Sequence, residues 1–169
     1  MEYTLSQLNE MNQEAFTEAL GEIFEDSPWV AKNAWQKRPF ADLAALYQTM
    51  VEVVQTASKE QQLSVIRAHP DLGTQAKMAE ASVKEQAGVG LDLLTLEEYE
   101  RFNSLNETYK EQFGFPFIIA VKNHTKDSIL TAFEHRIKNS PEVEVAQALT
   151  EITQIAKFRL NDLIIAPGT

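Results

Sequence analysis

The sequence predicts an all-α fold, a single-domain bundle of about seven or eight helices, on three observations. Apolar residues recur three and four positions apart in one segment after another, helix-capping signals punctuate those segments, and no stretch alternates apolar with polar residues as a half-buried strand would. The chain has 169 residues, 44% of them hydrophobic, enough for one domain over 1–169 to bury most of its apolar surface. No internal repeat, linker or low-complexity segment divides it.

Phe16, Leu20, Ile23 and Phe24 share a helical spacing, and their segment stops before Asp26-Ser27-Pro28. Ser27 is expected to cap the next helix, with Pro28 at the first position, where a missing N–H costs nothing. That helix presents Trp29, Ala31 and Trp35 until Pro39 interrupts it. Leu43, Leu46, Tyr47, Met50, Val53 and Val54 mark a third helix from about Phe40 to Ala57. Ser58 with Gln61 is a capping-box pattern, and Leu63 and Ile66 supply the apolar face of the helix it opens. Pro70 disfavours α geometry at the residue before it, so this helix ends near His69.

From Pro70 to Ala81 the pattern weakens. Ser82-Val83-Lys84-Glu85-Gln86 then suggests a short helix, followed by a turn at Ala87-Gly88-Val89-Gly90. Thr95 with Glu98 is a further capping box, opening a long helix with Tyr99, Phe102, Leu105, Tyr109 and Phe113 on its face and Gly114 as its stop. Residues 115–121 break the helical rhythm. Another helix, from about Lys126 to Lys138, carries Ile129, Leu130, Phe133 and Ile137, and Ser140-Pro141 opens a last helix of about 24 residues.

Composition excludes several functions. Without cysteine there is no disulfide framework, thiolate nucleophile or cysteine-ligated zinc. Fifteen Lys+Arg against 25 Asp+Glu give a formal charge of −10, which repels phosphate backbones and anionic lipid surfaces, so neither nucleic acid nor membrane is an expected partner. The first residues lack the basic and apolar segments of a signal peptide, and no run approaches the roughly 20 apolar residues that span a bilayer. A cytoplasmic protein is expected.

Four features could carry chemistry, each with a structural alternative. His69 stands where Pro70 forces the chain out of α geometry; it either caps the helix C-terminus or projects into a cleft. His124, in a polar turn, and His135, opposite the apolar stripe of its helix, are expected at the surface. Glu85 completes a Ser82-x-x-Glu85 capping box, yet a helix start with free N–H groups also suits an anionic ligand. Arg159 falls on the stripe Val145, Leu149, Ile152, Ala156 and Leu163 of the last helix. A guanidinium there needs a buried partner, either a glutamate, a helix terminus or a substrate. The apolar run 115–121 leaves backbone groups to be satisfied either by side chains of neighbouring helices or by a polar ligand.

Three stretches, Arg67-Ala68-His69-Pro70-Asp71-Leu72, Ser82-x-x-Glu85-Gln86-Ala87-Gly88 and Phe113-Gly114-Phe115-Pro116-Phe117-Ile118-Ile119-Ala120-Val121, form an ordered series. The series resembles the motifs of the 2-oxo-4-hydroxy-4-carboxy-5-ureidoimidazoline (OHCU) decarboxylases. Ser27-Pro28-Trp29-Val30, Arg38-Pro39-Phe40, Leu105-Asn106, Thr125-Lys126 and Arg159-Leu160 extend the likeness from about Phe16 to Leu163. The resemblance implies a homodimer of helical subunits using no metal and no organic cofactor, with a small ureidoimidazoline as substrate. It implies His69 as catalytic acid/base and Glu85 as its carboxylate partner. Pro70, Ser82, Gln86 and Arg159 are then expected to shape the pocket, and the backbone of Phe117, Ile118, Ile119, Ala120 and Val121 to cradle polar groups of the ring and the ureido arm. The implied reaction is cofactor-independent loss of CO₂ from OHCU to give (S)-allantoin in urate catabolism. Two competing readings are a helical interaction module whose His69, Glu85 and Arg159 form a buried network, and a metal-dependent hydrolase using His69 and Asp71.

Overall fold

The computed structural model describes residues 2–73 and 80–165, with the side chains of 80–82 outside the description. Among these residues the chain forms nine α-helices, two 3₁₀ turns and one pair of two-residue strands, so the all-α expectation holds. The helix count exceeds the expected seven or eight because a capped turn, α1 (Leu5–Glu10), precedes α2 (Gln13–Leu20). No described helix is long and apolar enough to cross a membrane.

The residues fall into two compact units, 1–65 with 153–169, and 66–152. The first unit begins with β1 (Tyr3–Thr4), which pairs in parallel with β2 (Ile164–Ile165) in the register Tyr3 to Ile164 and Thr4 to Ile165. Phe16, Leu20, Ile23 and Phe24 are all buried, but α2 ends at Leu20 and the last two reach the core from a run of turns. In α3 (Trp29–Ala34) the buried face is Val30, Ala31 and Ala34. Trp29 and Trp35 are half-buried instead, and the Trp35 indole N–H donates to Met11 O at 2.9 Å. Ser27 does not cap this helix: Pro28 occupies the N-cap position without a side-chain bond, and the buried Ser27 hydroxyl donates to Glu25 O at 3.0 Å. The helix α4 (Leu43–Gln55) is shorter than expected because Asp42 caps it, accepting from Ala45 N at 2.8 Å.

The helix α5 (Lys59–Arg67) opens on the expected capping box. Gln61 N donates to Ser58 Oγ and Ser58 N to Gln61 Oε1, both at 3.1 Å. It ends at Arg67, and His69 N still bonds Ile66 O at 3.2 Å. Two residues of α5 and the turn after it open the second unit. The helix α6 (Glu80–Gly88) follows, then α7 (Leu96–Phe113), with the Thr95–Glu98 capping box at its start and Gly114, at φ 79°, as its left-handed stop. Residues 115–120 form neither helix nor strand and are buried throughout, with Ala120 in an extended conformation. A 3₁₀ turn (Val121–Asn123) leads into α8 (Lys126–Arg136), which Thr125 caps. Last comes α9 (Pro141–Leu163), opened by Pro141 as expected. The core of this unit is an aromatic cluster in which Phe117 stacks on Phe133 with centroids 3.8 Å apart and Tyr109 meets Phe117 edge-on at 5.4 Å.

Candidate active site

In the second unit a cleft of about 390 Å³ is lined by Arg67, His69, Asp71, Lys110, Gly114, Phe115 and Pro116. His69 is buried, 7% exposed, at the break after α5 where Pro70 stops the helix. The short segment after it is anchored at three successive residues. Lys110 Nζ pairs with Asp71 Oδ2 at 2.8 Å, Asn106 Nδ2 donates to Leu72 O at 2.9 Å, and Gly73 N donates to Gln86 Oε1 at 3.0 Å. Asn106 and Gln86 are themselves buried, so two of the anchors are desolvated hydrogen bonds, which hold geometry better than exposed ones. Gly73 sits at φ 69°, a conformation that a side chain would strain. Two further lining residues are joined where Arg67 Nε donates to Gly114 O at 3.2 Å.

The Gln86 bond joins α6 to the turn that carries His69, and it places Glu85, half-buried, one residue away on the same helix. Ser82 requires a correction. Because α6 already includes Glu80 and Ala81, Ser82 lies inside the helix, whereas an N-cap residue has non-helical backbone. The expected capping box with Glu85 and the helix start at Ser82 are therefore both wrong. The Ser82 side chain lies outside the described residues.

The extended segment is satisfied along one edge. Ile118 O accepts from Arg136 Nη1 at 2.5 Å, and Ala120 N donates to Glu151 Oε1 at 3.1 Å. Ala120 O and Val121 O accept from Asn123 N and His124 N. For the N–H and C=O of Phe117 and Ile119 there is no partner among the described residues. In extended backbone the polar groups of alternate residues point to opposite sides, so Ile118 and Ala120 face α8 and α9 while Phe117 and Ile119 present the other edge. The first of the two sequence alternatives, satisfaction by side chains of neighbouring helices, thus holds for Ile118 and Ala120.

Arg159 belongs to the first unit, is 5% exposed, and finds the buried partner the sequence demands. Its Nη2 pairs with Glu25 Oε1 at 3.0 Å and its Nη1 donates to Glu22 O at 2.9 Å. His135 is exposed as expected, and His124, half-buried, bonds Ser128 Oγ through Nδ1 at 2.9 Å. Among the described residues no three His, Asp or Glu side chains converge as a metal-binding group, and Asp71 is engaged by Lys110.

Sequence reasoning missed a second buried charge cluster. Arg136, 7% exposed, gives Nε to Glu144 Oε1 at 2.9 Å, and Glu144, fully buried, also accepts from Tyr109 OH at 2.5 Å and Asn139 Nδ2 at 2.9 Å. Burial, then the Glu144 bond, pushes the Tyr109 phenol well above its ordinary range. The signal was present: Arg136 follows Ile129 by seven residues and Phe133 by three, the helical periodicity that exposed Arg159.

Comparison with known proteins agrees with the motif series. A family model described as OHCU decarboxylase matches residues 9–161. A 2-oxo-4-hydroxy-4-carboxy-5-ureidoimidazoline decarboxylase from Haloferax volcanii is 47% identical over 161 residues, 95% of this chain and 96% of that protein. The uric acid degradation bifunctional protein PucL of Bacillus subtilis is 45% identical over 166 residues, 98% of this chain and 34% of that protein. A crystal structure of (S)-allantoin synthase superimposes with a TM-score of 0.79 at 34% identity, covering 96% of this chain and 54% of that one.

Proposed function

The chain belongs to the OHCU decarboxylase family, and from that premise we propose that it converts OHCU to (S)-allantoin in urate degradation at the cleft centred on His69. One observation carries the location: His69, the histidine of the family-like motif, is buried at the wall of a cleft, and the turn that follows it is pinned at three successive residues.

OHCU carries its carboxylate on a ring carbon next to a C=N unit. If the carboxylate is held roughly perpendicular to the ring, the electron pair released with CO₂ delocalises into the ring, and the protein's tasks are to orient the anion, exclude water and move protons. His69 is the acid/base, and Glu85 on the neighbouring helix is its carboxylate partner. Pro70 and Gln86 shape the wall, and the open edge of the 117–121 segment receives ring and ureido polar groups. Arg67 and Lys110, lining the cleft with Asp71, give it a local excess of positive charge that favours an anion within a chain of charge −10. The roles of Ser82 and Arg159 rest on the family resemblance alone. The same resemblance extends the proposal to a cytoplasmic homodimer working without metal or organic cofactor, as one functional domain whose family match at 9–161 includes residues of both compact units.

The test is a chiral product assay. Protein without added metal, mixed with freshly generated OHCU, yields allantoin enriched in the S enantiomer faster than buffer does; racemic product at the background rate defeats the reading. His69→Ala abolishes turnover with the thermal midpoint changed by no more than a few degrees, whereas a large loss of stability favours a structural histidine.

A further inference from the structure

The extended segment is gripped on one edge by two opposite charges, and we propose that this grip sets the hydrogen-bonding polarity of the other edge. Arg136 and Glu151 are positioning residues that make the Ile119 N–H a strengthened donor and the Ile119 C=O a strengthened acceptor for an amide or ureide edge of the ligand. The inference rests on the reading that residues 117–121 line the substrate site.

The argument follows from peptide geometry. Ile118 C=O and Ile119 N–H belong to one planar trans peptide and point in opposite directions, as do Ile119 C=O and Ala120 N–H. A guanidinium bonded to Ile118 O at 2.5 Å draws electron density toward that oxygen, leaving the Ile119 N–H more positive. A carboxylate bonded to Ala120 N at 3.1 Å pushes density the other way, leaving Ile119 O more negative. One residue thus offers a reinforced donor and a reinforced acceptor side by side. Their complement is an N–H adjacent to a C=O, the pattern along a cyclic urea or a ureido arm; a carboxylate, with acceptors only, meets repulsion at the Ile119 oxygen.

Arg136 acts through the peptide, because its surroundings fix it in place. Glu144 holds its Nε, Tyr109 and Asn139 hold Glu144, and the guanidinium carbon lies 4.3 Å from the centroid of the Phe117 ring. Glu151 is steadied by Gln147, whose amide donates to the other carboxylate oxygen at 3.2 Å.

The experiment combines two variants with a spectroscopic probe, (S)-allantoin. Glu151→Gln keeps an acceptor for Ala120 N and removes only the charge. It is expected to raise KM for OHCU and the Kd of (S)-allantoin about three- to tenfold, with kcat within about twofold and an unchanged thermal midpoint. Arg136→Lys, which keeps charge but loses the fork, is expected to lower kcat/KM at least as much. In the wild type, the Ile119 amide proton resonance moves downfield on addition of (S)-allantoin, by more than it does in Glu151→Gln. Unaltered KM and Kd in Glu151→Gln, or an Ile119 amide that ignores (S)-allantoin in the wild type, overturns the inference, and the second result decides even if a variant fails to fold. If the wild type makes no optically active allantoin, the functional reading fails instead.

Discussion

The Glu25–Arg159 pair offers a perturbation whose size follows from burial. Both side chains are 4% exposed and their charged atoms are 3.0 Å apart. Removing one partner leaves the other charge buried without its counter-ion, which costs about 3–5 kcal/mol. At roughly 2–4 °C of thermal midpoint per kcal/mol for a chain of this size, Glu25→Met or Arg159→Met alone lowers the midpoint by roughly 6–20 °C. Replacing both removes both charges. The double variant recovers most of that loss, and what remains is about 1 kcal/mol for the bond from Arg159 Nη1 to Glu22 O. Thermal unfolding of the three variants, followed by steady-state decarboxylation assays on those that fold, separates two roles for Arg159. If it serves only the ion pair, activity returns with stability in the double variant. If it also holds the substrate, the double variant is folded and has a raised KM. A single-variant loss below about 1 kcal/mol, or a double-variant loss equal to the sum of the two, refutes the argument from burial.

Other expectations follow from the second unit. Asn106→Ala removes the donor to Leu72 O, three residues past His69; denaturant titration should show a loss of about 1–3 kcal/mol, with kcat/KM falling in the folded protein, and an unchanged kcat/KM would detach this anchor from the site. The Thr95 backbone bond, then Lys126, hold the Glu98 carboxyl below its ordinary value of 4.5, so its contribution is complete above that value and lost as pH falls through the depressed one. The difference in thermal midpoint between wild type and Glu98→Gln is therefore expected at neutral pH and to shrink on acidification. Tyr109 has the opposite sign. Its phenol is held above 10, so the stabilisation it brings is complete below pH 10 and fades at more alkaline pH; Tyr109→Phe should lower neutral stability and flatten the alkaline limb of the stability profile.

The features legible in the sequence are those decided by a few neighbouring residues. Ser58 with Gln61, Thr95 with Glu98, Gly114 and Pro141 begin or end helices where expected, because capping and φ restriction act within one turn of chain. Pro70 likewise places His69 at a helix break. The motif series carried the family, which no pairwise spacing could. What failed were local signals outweighed by longer-range terms. Ser82 has the sequence of a cap, yet α6 includes residues before it, and Ser27 spends its hydroxyl on Glu25 O. The buried face of α9 includes Glu144, Ala148, Ile152, Ala156 and Arg159, rotated from the all-apolar stripe through Val145 and Leu149 because the interior takes charges that are paired. Those pairs, and the anchors on Leu72 and Gly73, join residues from eight to well over a hundred positions apart. Sequence alone determined where the chain turns and which family it joins. Tertiary structure decided which charges lie inside and which side chains hold the backbone of the 115–121 run, because desolvation and partner geometry are set by what packs alongside, not by what precedes in the chain.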